Sequence, residues 1–240
     1  MSEARAPYFA NHQRRNRLPW SLYHGELDWR IARVLRRHRP APRVLIVGCG
    51  LDPVVEGGPP RALYHGCDID ARAIEQCRAR YPAMAERLEV CPGPLELPSS
   101  GAFSRPFDVV VAKEVIEHLD EPESWARILA GRVAVGGQLV LSTPNYGRFS
   151  TLPLIERTVL EWVARRDGYS RRHIHPSRFD CRRLAELPVG HGMISLGAEL
   201  PVGHGMISLG VDRAFTGWTL LGRWLRVYPP PGGNVSDPGV

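Results

Sequence analysis

Lysine is nearly missing from this 240-residue chain. Of its 31 basic residues only Lys113 is a lysine, so 31 − 1 = 30 are arginine. With 24 glycines and 22 prolines alongside, the imbalance reads as a bias of the whole chain, although the formal net charge is +6. Arginine clusters such as R-R-N-R are then solvated faces, and a nucleic-acid partner is not expected. No run of about 18 apolar residues occurs, so no membrane span is expected. The opening stretch M-S-E-A-R-A-P-Y-F lacks the apolar centre of a secretory signal, and a cytoplasmic location is the expectation. Cysteine pairs of the C-x-x-C kind are missing too. Cys49, Cys67, Cys77, Cys91 and Cys181 have neither zinc-knuckle nor disulfide spacing and are expected to be reduced and buried.

What is present suits one globular domain, at 43% hydrophobic and 23% charged residues. Residues 1–40 read as an arginine-rich arm and a lid helix. From Trp20 to about Arg37, Leu22, Leu27, Ile31, Val34 and Leu35 fall at helical spacing, and Pro40 and Pro42 stop the pattern. A domain follows over 41–227. In it Val44–Val47, Ala62–Cys67, Leu88–Cys91, Phe107–Val111 and Gln138–Ser142 read as strands, the last after a Gly136-Gly137 turn. Ala71–Arg80, capped by Asp70, and Glu123–Val133 read as helices. Such alternation predicts a mainly parallel sheet with right-handed crossovers and ligands outside the carboxyl ends of the strands.

Beyond Asn145 the pattern changes. A helical insertion is expected at about 150–176, with a helix over Leu152–Arg165 and a basic loop to Pro176, and then a capped helix over Ser177–Leu187. The segment A-E-L-P-V-G-H-G-M-I-S-L-G stands at Ala185–Gly197 and again, verbatim, at Ala198–Gly210. Two copies are too few for a solenoid. The tail 228–240, rich in proline and glycine, is expected to be disordered.

The first strand runs into Gly48-Cys49-Gly50, a turn that lets backbone approach a ligand closely. Asp52-Pro53 then stands where a phosphate-binding loop carries another glycine. The next strand ends in Asp68, whose carboxylate can accept both hydroxyls of a ribose, so a ribose-bearing cofactor is favoured.

Four segments carry a family resemblance: V-L-I-V-G-C-G, G-C-D-I-D, F-D-V-V-V-A-K-E-V-I-E-H-L and G-G-Q-L-V-L-S-T-P-N. In order and spacing, over about residues 40–187, they resemble the motifs of class I S-adenosylmethionine-dependent methyltransferases. E-V-I-E-H-L and S-T-P-N resemble most the group acting on small molecules, quinones, lipids and sugars. The resemblance implies a Rossmann-like, doubly wound α/β fold with a mainly parallel seven-stranded sheet and helices on both faces. It implies methyl transfer from S-adenosylmethionine to a small-molecule or lipid-like acceptor. Cofactor contacts are implied at Gly48, Cys49, Gly50, Asp68, Ile69, Leu95 and Lys113. Ile46 and Asp52 depart from the family's acid and third glycine. Gly93 stands near the place of an acid for the adenine amino group, which Glu96 could replace. An RNA 2′-O-methyltransferase and a degenerate, non-catalytic cofactor-binding protein are the other readings.

Methyl transfer from a sulfonium asks mainly for alignment, and for a general base only when the acceptor is a hydroxyl or protonated amine. His118 and Lys113 are the catalytic candidates. His118 could act as base or shape the pocket; Lys113 could hold a substrate anion or meet the cofactor through its backbone. Glu114, Glu117 and His118 form an E-x-x-E-H array, to which His173 or His175 could add. A similar array holds a divalent metal in small-RNA 2′-O-methyltransferases, but E-V-I-E-H-L is widespread in metal-free enzymes, so no metal is expected. Asn145, Tyr23 and His24 are further candidates for the acceptor pocket and the lid. Within the repeat, Met206–Val211 is expected to pair in the sheet. The first copy is expected to form a surface loop or a weak edge strand whose deletion leaves stability intact. The oligomeric state is not legible.

Overall fold

The computed structural model describes residues 20–38, 41–144, 146, 158, 161–166, 175–180, 183–184, 186–187, 193–199 and 204–211. Helix α1 (Trp20–Leu35) buries Leu27, Ile31, Val34 and Leu35, which lie three or four apart and so share one face. Strand β1 (Arg43–Val47) follows. Then come β2 (Leu63–Asp68), α2 (Ala71–Arg80), β3 (Leu88–Val90), β4 (Phe107–Lys113), α3 (Pro122–Ala130) and β5 (Val133–Pro144). Helix α4 (Glu161–Arg166) and strands β6 (Met193–Glu199) and β7 (His204–Val211) complete the order. Asp70 caps α2 as expected, its Oδ1 accepting from the Arg72 N–H at 3.0 Å.

Among the described residues the sheet has seven strands, in the order β3-β2-β1-β4-β5-β7-β6. β1 through β5 are parallel, whereas β7 is antiparallel to both β5 and β6. The chain moves outward from β1 to β3 and returns to β4 on the other side of β1. That reversal opens a crevice between the carboxyl ends of β1 and β4, where doubly wound sheets take their ligands. Side chains alternate along β1. Val44 and Ile46 join Val109, Val111 and Val140 beneath α1 and α2. Leu45 and Val47 join Val110, Leu139 and Leu141 against Phe103, Phe107, Trp125 and Phe179.

Two local expectations change. Gly136-Gly137 is not a turn before a strand but lies inside β5, which begins at Val133. Phe107 pairs with Val133 and Val109 with Gln138, so extra residues of β5 bulge at this point. Gly136 takes φ +74, and a Cβ on Gly137 would lie 2.7 Å from the Asp108 carbonyl oxygen. Ser177 does not cap a helix. Its hydroxyl donates to the Leu119 carbonyl at 2.8 Å, and buried Phe179 accepts from the Tyr146 N–H at 2.7 Å, which keeps this stretch extended. Asp180 takes over the turn, accepting at 2.7 Å from the Arg183 N–H. The repeat follows its expectation: the second copy gives β7, paired with β5, and the first gives most of the edge strand β6.

His65 of β2 gives the fold an acid sensitivity. It is 1% exposed, packed edge-on against Phe103 and Phe107, and its Nδ1 lies 3.1 Å from the Leu63 carbonyl oxygen. Burial, assisted by nearby Arg43, pushes its pKa down to about 4. Between that value and the ordinary one the unfolded chain binds more protons. Stability is therefore full above about pH 6.5 and falls as the pH drops towards 4, by up to about 3 kcal/mol. Urea titrations across that window should show the slope, and His65→Phe should flatten it; an unchanged slope would assign the effect elsewhere.

Candidate active site

The Gly48-Cys49-Gly50 loop is built by backbone conformation. Both glycines have positive φ, +67 and +53. A Cβ at Gly48 would also collide with Val115. The amides of this loop turn inward. The Gly48 and Cys49 N–H groups both donate to the Cys67 carbonyl, at 2.9 and 3.1 Å, and the Gly50 N–H donates to Asp68 Oδ2 at 2.7 Å. None of the three is left to cradle a phosphate. The departure at Asp52-Pro53 has a packing cause. The Asp52 N–H turns back to the Cys49 carbonyl at 2.9 Å. Pro53 is buried and closes over Gly66, within 3.0 Å of where a Cβ would stand.

Asp68 is 4% exposed at the carboxyl end of β2. Besides the Gly50 amide it accepts from the Asp70 N–H on Oδ1 at 2.9 Å. Each oxygen thus carries one backbone bond and retains a second lone pair for a ligand. Ile69 and Val90, each 38% exposed, give an apolar surface at the ends of β2 and β3. Leu95 packs against the core. At the place where the family acid is missing, Gly93 bridges to Glu96, whose Oε1 comes within 3.7 Å of the position a Gly93 Cβ would take.

At the end of β4, Lys113 Nζ donates to Asp28 Oδ1 of α1 at 2.8 Å, and the two side chains are only 4% and 10% exposed. The next residue, Glu114, is the one described non-glycine residue with positive φ, at 54°. Its N–H donates to the Ser142 carbonyl at 3.0 Å, which holds the strand end against β5. That conformation costs a residue with a Cβ roughly 1–2 kcal/mol. Glu114→Gly should therefore raise the unfolding free energy by up to about 1 kcal/mol after the flexibility of glycine is deducted. A loss of stability would show that the Glu114 side chain contributes more than the strain removes.

A short turn, Ile116–His118, follows. Glu117 is 1% exposed, and Thr143 donates its hydroxyl to Glu117 Oε2 at 3.0 Å. The other oxygen, Oε1, lies 4.0 Å from His118 Nε2. His175 stacks edge-on to His118 with ring centroids 4.8 Å apart, and its Nδ1 pairs with the Tyr146 hydroxyl. The Ser177 N–H donates to the Glu117 carbonyl at 3.2 Å, which ties the two segments together. Glu117, His118 and His175 are thus brought together, and among the described residues they are the group able to hold a metal ion. Glu114 does not join them. His173, Asn145 and the Tyr23 side chain lie outside the described residues, as do the arm, most of the insertion and the tail. Asp28, Thr143 and Tyr146 escaped the sequence reading. Asp28 carried a signal, since an acid stands on the apolar face with Leu27, Ile31 and Leu35.

Residues 45–139 match the family model described as a methyltransferase domain. Over that stretch the chain is similar to methyltransferase domains. One similar relative is a ubiquinone biosynthesis O-methyltransferase of Alkalilimnicola ehrlichii. It is 32% identical over 105 residues, which cover 43% of this chain and 42% of that protein. The chain therefore spans less than half the length of this curated relative. Among solved structures, magnesium protoporphyrin IX methyltransferase of Synechocystis PCC 6803, with bound S-adenosylhomocysteine, superposes with a TM-score of 0.53 at 15% identity. It covers 78% of this chain and 83% of its own. The N-methyltransferase NodS of Bradyrhizobium japonicum WM9 gives 0.51 at 15% identity over 82% and 99%. At such identities these likenesses speak for the fold of the methyltransferase domain. No helix among the described residues is long and apolar enough to cross a membrane.

Proposed function

We propose that the chain transfers a methyl group from S-adenosylmethionine to a nucleophile on a small-molecule or lipid-like acceptor. The inward-turned amides of Gly48, Cys49 and Gly50 carry this reading. A dinucleotide needs free N–H groups for its pyrophosphate, whereas S-adenosylmethionine has no phosphate and presents ribose hydroxyls and a cationic sulfonium. Asp68 accepts the ribose hydroxyls on its remaining lone pairs. Ile69 and Leu95 line the adenine, with Glu96 as the acid for its amino group. Lys113 contributes through its backbone alone. The nucleophile attacks in line, about 3–3.5 Å from the methyl carbon. Bound there, S-adenosylmethionine would supply the methyl group from its sulfonium and leave as the thioether. His118, the catalytic candidate that remains, takes the proton when the acceptor is a hydroxyl or a protonated amine.

Two of the matched proteins are named for small molecules, ubiquinone biosynthesis and magnesium protoporphyrin IX. That supports a small-molecule partner over nucleic acid. The reading places the protein in the cytoplasm, where the buried free thiols of Cys49, Cys67, Cys77 and Cys91 stay reduced. Calorimetry tests it. S-adenosylmethionine should bind the wild-type chain, and Asp68→Ala should weaken binding by about 1.5–3 kcal/mol, the range for hydrogen bonds to a charged group. Unchanged affinity would remove Asp68 from the site, binding without turnover would favour the non-catalytic reading, and no binding by the wild type would overturn the proposal.

A further inference from the structure

We propose that Glu117, His118 and His175 form a binding site for a borderline divalent cation of the zinc type, at the carboxyl edge of the sheet. Each residue offers one ligand atom, and the three atoms lie within 4.8 Å of one another. Ligands about 2.0–2.2 Å from a shared ion stand some 3–4 Å apart in a tetrahedron. The 4.0 Å between Glu117 Oε1 and His118 Nε2 is too long for a hydrogen bond and suits two ligands of one ion. The donor set selects the ion. Two imidazoles and one carboxylate suit zinc and its transition-metal neighbours, whereas magnesium and calcium take oxygen ligands.

The surroundings are arranged as metal ligands require. The Thr143 hydroxyl occupies Glu117 Oε2 at 3.0 Å and leaves Oε1 facing the histidines. The Tyr146 hydroxyl pairs with His175 Nδ1 and so steadies the ring whose other nitrogen, Nε2, would be the ligand. Such outer hydrogen bonds fix ring orientation and tautomer. The carboxylate is 1% exposed, and the Ser177 bonds to Glu117 and Leu119 hold the His175 segment against the turn. Glu114 is not part of the group, so the site differs from the E-x-x-E-H array read in the sequence. Three protein ligands leave a fourth position open, as in catalytic zinc sites, where an oxygen ligand has its pKa lowered. The site needs no S-adenosylmethionine to form, and it shares His118 with the reading above: a bound cation would occupy a ring nitrogen there proposed to take the proton.

The full-length chain, stripped with a chelator and dialysed, is titrated with zinc sulfate in a calorimeter. Equimolar binding is expected, with no heat from magnesium chloride. His175→Ala and Glu117→Gln should each weaken zinc by tenfold or more, and Tyr146→Phe by about 10–100-fold, the usual effect of losing an outer partner. His38→Ala, beside Gln138 and away from the site, should bind as the wild type does. Should Glu117→Gln fail to fold, His175→Ala still decides. Cobalt is the second probe, and its spectrum should lack a thiolate charge-transfer band. Absence of zinc binding, unchanged binding in His175→Ala, or a thiolate band from the buried cysteines would each overturn the proposal.

Discussion

Asp28→Asn or Lys113→Met should each remove about 3–5 kcal/mol of stability, because either change leaves one buried charge without its partner. The pair joins α1 to the end of β4, its Nζ–Oδ1 distance is 2.8 Å, and both side chains are nearly dry. The double variant Asp28→Leu/Lys113→Met should recover most of that loss, since replacing both members of a buried pair by apolar groups is often neutral or stabilising. Urea denaturation measures all three. The double variant also separates the two roles of Lys113. Should it fold and bind S-adenosylmethionine within about threefold of the wild type, a difference of less than about 1 kcal/mol, the lysine is a structural anchor for α1. Should it fold but lose turnover against every acceptor the wild type accepts, the anion-holding role read in the sequence returns.

That pair shows where sequence reading stops. Features set by neighbours along the chain were legible. Asp70 caps α2, β1 alternates its apolar residues between two faces, and Asp68 stands at the end of β2, all as the local pattern requires. The alternation of elements gave the parallel sheet, and with it the crevice at β1 and β4. Features set by distant partners were not legible. Lys113 and Asp28 are 85 positions apart, and the Ser177 hydroxyl that should have capped a helix is taken by a carbonyl 58 positions away. Gly136-Gly137 reads as a turn in isolation, yet pairing with β4 draws it into a strand. The glycine loop lies between these cases. Its G-C-G spacing announced a tight turn, but only the structure shows its amides turned inward, which separates a sulfonium cofactor from a pyrophosphate.

The tandem repeat offers the sharpest separation of sequence from topology, because the same residues occupy two unlike places. Ser195 and Leu196 in β6 correspond to Ser208 and Leu209 in β7. β7 is paired on both sides: Ser208 stands opposite Val140 of β5 and Leu196 of β6. Among the described residues β6 is paired with β7 alone, so alternate N–H groups along it face away from the sheet. Proline removes an N–H and is tolerated in sheets essentially at edges. Ser208→Pro and Leu209→Pro should therefore both cost several kcal/mol, lowering the melting temperature by roughly 10 °C at 2–4 °C per kcal/mol for a chain of this size. Of Ser195→Pro and Leu196→Pro, one should cost less than about 1 kcal/mol, because its N–H points outward. The expectation that one copy suffices is revised by the same geometry. β6 carries the chain from the Gln138 end of β5 to the Pro144 end, where β7 must start in order to run antiparallel. Deleting Ala185–Gly197 removes most of β6, and with it the strand that brings the chain to that end. The deletion should lower stability rather than preserve it. If instead the proline variants behave alike in the two copies, the identical segments exchange places between β6 and β7, and the order of the last two strands is not unique.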